Sequence, residues 1–169
     1  MTDKIIGYHF LREDMRSGYG SDRRKPWKVG DTRKARGVIV PCQNGYHASP
    51  TPFDALQYAP GPVLCLVELR GNVAPHGEPV DKYAARSRKL LKAVDITREL
   101  RLFACECAER ALPIYEADYP GDLRPRAAIE AARRFAGGIA TSQELAAARD
   151  AETAWQREQF NTICQEALQ

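Results

Sequence analysis

The most concentrated chemistry in the sequence is a run of cationic side chains between residues 16 and 36. Only Asp22 and Asp31 oppose them within this stretch. Guanidinium and ammonium groups at this density attract phosphates or an acidic protein surface. A loop whose charges are simply solvated is the alternative. We predict that a partner with an acidic surface, either a bacterial protein or a protein–nucleic-acid complex, contacts Arg23, Arg24, Lys25, Lys28, Arg33, Lys34 and Arg36.

The cysteines and histidines do not have the spacing of a metal site. The three histidines, at positions 9, 47 and 76, are too scattered for zinc. Cys105 and Cys107 fall in a predicted helix, where residues two apart point about 200° away from each other. Cys42 and Cys65 are expected to be single thiols in the core. We predict no metal and free thiols in a reducing compartment, the cytoplasm of a bacterial host.

Composition excludes several classes of protein. The chain has 169 residues and a mass of 18.9 kDa, with 44% hydrophobic and 28% charged residues. These values exclude wholesale disorder and collagen-like structure. No apolar run approaches the roughly 18 residues that span a bilayer, so no transmembrane helix is predicted. Charge is divided unevenly: residues 1–97 hold 16 basic and 10 acidic residues, and residues 98–169 hold 9 and 12.

The first half has the pattern of short strands. Apolar or β-branched runs of strand length predict strands over Lys4–Leu11, Gly37–Pro41, Tyr46–Ala48 and Val63–Leu69. Residues 12–37 and 71–79 are rich in glycine, proline or charge and predict loops. Ser49 and Thr51, with Pro50 and Pro52, are typical of a helix start. Residues 82–96 predict either two strands or a strand and a turn.

The second half has helical spacing. Apolar residues predict a helix over Thr97–Leu112, which Pro113 ends or kinks. A second helix begins near Pro125, and a capping box at Thr141–Glu144 begins a third. Short connections favour an antiparallel bundle. We therefore predict an α+β protein, with a small β-rich module over residues 1–97 packed against a three-helix bundle over residues 98–169.

One segment of the first half resembles a known enzyme core. Residues 46–73 read YHASPTPFDALQYAPGPVLCLVELRGNV. This resembles the middle of the ADP-ribosyltransferase core, particularly its poly-ADP-ribose polymerase branch. The resemblance implies NAD as cofactor, with Tyr46 and Tyr58 stacking on the nicotinamide and His9 holding the ribose. Aromatic faces and a strand-borne imidazole suit those contacts. The alternative is that these aromatics belong to the core and the histidine is structural.

The catalytic carboxylate of that family has only weak counterparts. No glutamate occurs between Glu78 and Glu99, where the family places it. Asp81 stands roughly at the right place, and Glu68 lies on an earlier strand. His9, Tyr46, Asp81 and Glu68 are the weak catalytic candidates that the resemblance implies.

The second half resembles a different group of proteins. The run of residues 122–133, DLRPRAAIEAAR, is similar to a helical module found in candidate immunity proteins and in small phage or prophage proteins. That resemblance implies a binding or scaffold module and an origin in a mobile element, with no chemistry of its own.

These observations favour a non-enzymatic binding protein of phage or mobile-element origin. It would inhibit or antagonise a bacterial protein, such as a defence protein, and would need no cofactor. The charge division and the missing glutamate support this hypothesis. The alternative is an NAD-dependent ADP-ribosyltransferase that modifies a host macromolecule.

Overall fold

The protein has the predicted α+β class. A computed structural model describes residues 4–18, 25–151 and 153–154. The chain divides after Ile96 into two compact units. The first contains antiparallel sheets and one short helix, and the second contains packed helices.

A four-stranded antiparallel sheet forms the larger part of the first unit. Its strands, in spatial order, are β1 (Lys4–Leu11), β4 (Val63–Arg70), β7 (Ser87–Asp95) and β2 (Thr32–Lys34). The predicted first and fourth strands are confirmed. The short β2 lies within the stretch predicted as loop. Its three polar residues show no alternation of apolar and polar side chains, so it was not predicted, and it is a strand because it pairs with β7.

A second, three-stranded sheet has the order β3 (Tyr46–Ala48), β6 (Lys82–Ala85) and β5 (Ala74–His76). Residues 82–95 thus form two strands, one of the two predicted alternatives. The predicted strand over Gly37–Pro41 is wrong, because only Val40 makes an isolated bridge, to Asn44. The Asn44 side-chain amide instead donates to the carbonyls of the preceding loop at 2.7 Å.

The core of the first unit lies on one face of the larger sheet. Its most fully buried large side chains are Leu11, Val67, Leu69 and Leu90. The core also contains Trp27, which is only 2% exposed although it belongs to the basic stretch. Its amide donates to the Met15 carbonyl at 2.8 Å. The described part of the basic stretch is therefore anchored to the sheet.

The two sheets meet where β1 passes the end of β3. Tyr8 and Ser49 exchange two backbone hydrogen bonds of 2.8 Å. Gly7 permits this approach, since a Cβ there would lie 2.8 Å from the Ser49 carbonyl oxygen. Helix α1 (Pro52–Leu56) follows directly. Of the two predicted cap candidates, Thr51 caps it, and its hydroxyl accepts from the Asp54 amide.

In the part of the chain that the structure describes, the second unit contains α2 (Thr97–Asp118), α3 (Arg124–Ala136) and a third helix, α4, over residues 142–151 and 153–154. Of the two alternatives predicted at Pro113, an end to the helix is wrong, because α2 continues through this residue at the cost of one backbone hydrogen bond. The capping box is confirmed: the Glu144 carboxylate accepts from the Thr141 amide at 2.8 Å, and the Thr141 hydroxyl accepts from the Glu144 amide.

The packing of α2 follows the geometric expectation for its two cysteines. Cys105 is buried and Cys107 is exposed. Two Arg–Glu pairs join α2 to α3: Arg133 to Glu109 at 2.6 Å, and Arg126 to Glu116 at 2.8 Å. Among the described residues, no helix is both long enough and apolar enough to cross a bilayer.

Candidate functional site

The junction of the two sheets brings several predicted site residues together. His9 on β1 and His47 on β3 flank the bridge between Tyr8 and Ser49. Both imidazoles line two adjoining hollows. One hollow contains Tyr46 and the other contains Tyr58. The predicted residues His9, Tyr46 and Tyr58 thus lie in one region, but the two tyrosines do not line the same hollow.

The first hollow, of about 380 Å³, is bounded by Tyr46, Lys34 and Arg88 in addition to the two histidines. Arg88 is 3% exposed and donates to the His47 carbonyl at 2.9 Å. Its guanidinium lies 4.6 Å from the centre of the Trp27 ring and 5.2 Å from that of Tyr46. These contacts hold Tyr46 as one wall of the hollow and hold a buried cation beside it.

The second hollow, of about 470 Å³, has apolar and aromatic walls with one cation. Lys82 is 8% exposed, and its ammonium lies 3.9 Å from the centre of the Tyr58 ring. Cys42 and Ser49 also line it. The Cys42 amide donates to Nε2 of His47 at 3.1 Å, which fixes that ring against the hollow.

Burial and neighbouring cations keep both imidazoles neutral. The pKa of His9 lies well below its usual value, because burial, Arg88 and His47 all disfavour its charged form. The pKa of His47 is lowered by burial and then by Lys82 and Arg88. Burial also disfavours the charged form of Lys82, but hydrogen bonds with Cys42 and Tyr58 outweigh it and raise the pKa of this lysine. The junction therefore concentrates positive charge.

Neither of the two carboxylate candidates lines a hollow. Glu68 alternates with the buried Val67 and Leu69, so it occupies the opposite face of β4 from the core. There it pairs with Lys4 at 2.9 Å and Arg70 at 2.5 Å, and these hydrogen bonds lower its pKa to about 2.

Asp81 is held by its own neighbours. The Tyr58 hydroxyl donates to its Oδ2, and Nδ1 of His76 lies 3.1 Å from its Oδ1. These contacts lower the pKa of Asp81, so it stays charged. Among the described residues that line either hollow, none is an aspartate or a glutamate.

Some cations of the basic stretch are exposed, whereas Arg33 packs against the protein. Lys25, Lys28, Lys34 and Arg36 are exposed. Arg33 instead donates to the Pro26 carbonyl at 2.6 Å, and its guanidinium lies 4.1 Å from the centre of the Trp27 ring. The predicted contacts Arg23 and Arg24 lie outside the described residues.

Sequence reasoning missed the two most buried cations at the junction, Arg88 and Lys82. The sequence pattern showed only that both lie in residues 82–96, where the strand boundaries were left open.

Cys42, Cys65, Cys105 and Cys107 are free thiols. Within the described ranges, no cluster of three or more histidine, cysteine or acidic side chains is arranged to hold a metal ion.

Comparison with protein families identifies the family to which the chain belongs. Residues 5–102, more than half of the chain, match the family described as "Domain of unknown function (DUF7666)", and the chain belongs to that family. Residues 91–167 are similar to a second family, described as "Imm-5 like putative immunity protein". This likeness suggests an immunity- or inhibitor-type role that involves binding a partner protein.

No curated protein and no solved structure matches the chain. The two family matches point neither to ADP-ribosyltransferases nor to phages. The expected immunity-like character of the second half is confirmed at the level of that family likeness. The transferase resemblance and the mobile-element origin stay predictions.

Proposed function

We propose that this chain is a non-enzymatic binding protein of the immunity or antagonist type, which acts by docking on a bacterial protein. The observation that supports the proposal most directly is the similarity of residues 91–167 to the Imm-5-like family. A protein of that type works by occupying a surface of its partner, and it needs no catalytic group of its own.

The charge of the first unit favours an acidic partner. Lys25, Lys28 and Arg36 are exposed, and the stretch that carries them is anchored by the buried Trp27. The anchored backbone loses little freedom on binding, and the cations that it carries steer an oppositely charged partner into place. That this partner is a defence protein, alone or in a complex with nucleic acid, stays a prediction from the sequence.

The proposal can be tested by affinity capture from bacterial lysate with a matched pair of variants. The first variant removes three cations of the basic stretch and the second removes three exposed cations elsewhere: Lys25→Ser, Lys28→Ser and Arg36→Ser, against Lys89→Ser, Lys92→Ser and Arg110→Ser. Both lower the net charge equally. We expect a protein that the wild type and the second variant retain, that the first variant loses, and that added salt releases because salt screens exposed charges.

Equal retention by the two variants would show that the basic stretch does not dock the partner. A wild-type chain that retains no protein above a blank column would contradict the binding role itself. A retained protein is then purified and titrated with the chain, so that a dissociation constant replaces the capture result.

A second candidate function is NAD-dependent ADP-ribosyl transfer. It is favoured by one observation: His9 lines both hollows, with Tyr46 in one and Tyr58 in the other. NAD, if bound there, would supply the glycosidic bond that such a reaction breaks. The described lining does not offer a carboxylate to stabilise the developing positive charge, which weighs against the transfer step.

The two candidates are separated by incubating the chain with radiolabelled NAD and lysate. Under the leading proposal, we expect neither release of nicotinamide nor label on any macromolecule. Transfer that is lost in His9→Gln and retained in Glu68→Gln would replace the binding proposal with the enzymatic one, since Glu68 lies on the opposite face of its strand.

A further inference from the structure

The hollow beside Tyr58 contains a buried cation that lacks a direct anionic partner among the described residues. Lys82 is 8% exposed, its ammonium lies over the Tyr58 ring, and Cys42 lines the same hollow. The neighbouring carboxylate of Asp81 interacts with Lys82 through its charge, but its oxygens are hydrogen-bonded to Tyr58 and His76. A buried ammonium is costly unless charge is supplied to it.

The shared wall of the two hollows provides a second, independent observation. Nε2 of His9 is buried, and it has no hydrogen-bond partner among the described residues. A buried polar atom that is left without a partner costs free energy, which a bound group can recover. His9 lines the same hollow as Lys82, and His47 lies there with them.

We propose that this hollow is a binding site for a small organic oxyanion, whose carboxylate or phosphate group is held by Lys82, His9 and His47. The other lining residues indicate the chemistry of the remainder of the ligand. Ala48, Ala55 and Pro60 provide apolar walls, and Tyr58 provides an aromatic one. The volume of about 470 Å³ suits a ligand with a ring or short hydrocarbon body.

Binding at this site takes up protons. Arg88 on β7 and His47 on β3 face His9, with Cys65 opposite it on β4. His47 faces Lys82 on β6, Arg88 on β7 and His76 on β5. Burial, and then these mostly cationic neighbours, disfavour the charged forms, so both imidazoles are neutral in the free protein. A bound anion favours the imidazolium form of His9, so affinity rises as the pH falls from 8 to 6. His47 stays neutral, because its Nε2 accepts from the Cys42 amide.

The site is independent of the docking proposal, and its test needs no partner. The full chain is titrated calorimetrically with benzoate, with phenyl phosphate, with inorganic phosphate and with the neutral analogue benzamide. Benzoate stays fully charged across this pH range. We expect either benzoate or phenyl phosphate to bind, the stronger of the two identifying the preferred anion, whereas benzamide does not bind and inorganic phosphate binds more weakly.

Variants then locate the site. Lys82→Met is expected to weaken binding by about tenfold or more, because a charged hydrogen bond is lost. Lys82→Arg is expected to retain binding, and Lys89→Met, on an exposed position of β7, is expected to match the wild type. His9→Gln is expected to reduce the dependence on pH.

The proton uptake is measured on the wild-type chain, by repeating the benzoate titration in two buffers with different enthalpies of ionisation. This readout does not depend on whether a variant folds. Absence of binding by both organic anions at millimolar concentration would overturn the proposal. Equal affinity in Lys82→Met and Lys89→Met, or binding without proton uptake, would overturn it as well.

Discussion

Replacing Trp27 tests the central structural claim about the basic stretch, namely that one aromatic residue anchors it to the sheet. Trp27 is 2% exposed, and the guanidinium groups of Arg33 and Arg88 lie 4.1 and 4.6 Å from the centre of its ring. It also meets the edge of Tyr46 at a centroid distance of 5.7 Å. Truncating a buried tryptophan to alanine costs about 3–5 kcal/mol, which is our expectation for Trp27→Ala.

A second substitution separates packing from polarity. Nε1 of Trp27 is buried without a hydrogen-bond partner among the described residues. Trp27→Phe removes this donor and keeps an aromatic face for the two arginines. We therefore expect it to cost about 1 kcal/mol, because the lost packing is partly offset by the removal of an unpaired polar group. The control Val29→Ala, at a side chain 61% exposed, is expected to change stability by less than about 0.5 kcal/mol.

The assay uses two buried thiols, one in each unit. Cys65 is 0% exposed and Cys105 is 5% exposed. Pulsed thiol labelling in increasing urea, read by mass spectrometry, gives a separate unfolding midpoint for each. The free energy at Cys65 is expected to fall by the amounts above. If Trp27→Ala lowers the free energy of unfolding at Cys65 by less than about 1 kcal/mol, Trp27 does not anchor the basic stretch. The proposal that anchored cations dock the partner would then lose its structural support.

Three further predictions concern single contacts. Hydrogen bonds from Arg70 and Lys4 lower the pKa of Glu68 to about 2, so its charged form stabilises the wild type above pH 4.5 and this stability is lost as the pH falls toward 2. Urea unfolding of Glu68→Gln at several pH values should lack this loss, and a profile equal to that of the wild type would contradict the role of Glu68. Thr141→Ala should cost about 1 kcal/mol by removing a helix cap, measured as the Cys105 midpoint. Gly7→Ala should lower the Cys65 midpoint, since its Cβ would lie 2.8 Å from a carbonyl oxygen, whereas Gly121→Ala, with open space around it, should not.

The candidate site was only partly predictable. The sequence resemblance singled out His9, Tyr46 and Tyr58, and the first lies in a hollow with each of the others. It did not single out Arg88 or Lys82, because a charged residue in a short strand is ordinarily expected at the surface. Burial of these two cations depends on strands β6 and β7, whose boundaries the local pattern left open. The position of Glu68 was predictable, because side chains alternate between the two faces of β4 and Glu68 lies between two core residues.

Several elements follow from local chemistry in the sequence alone: the apolar run Val63–Leu69 forms a strand, the Thr51 hydroxyl begins a helix, and the capping box at Thr141 begins another. Such features act within a few residues, so the sequence states them directly. The bridge between Tyr8 and Ser49 joins residues 41 positions apart. Only tertiary structure could reveal that contact, and the gathering of His9, His47 and Lys82 around it, because it depends on how whole strands pair.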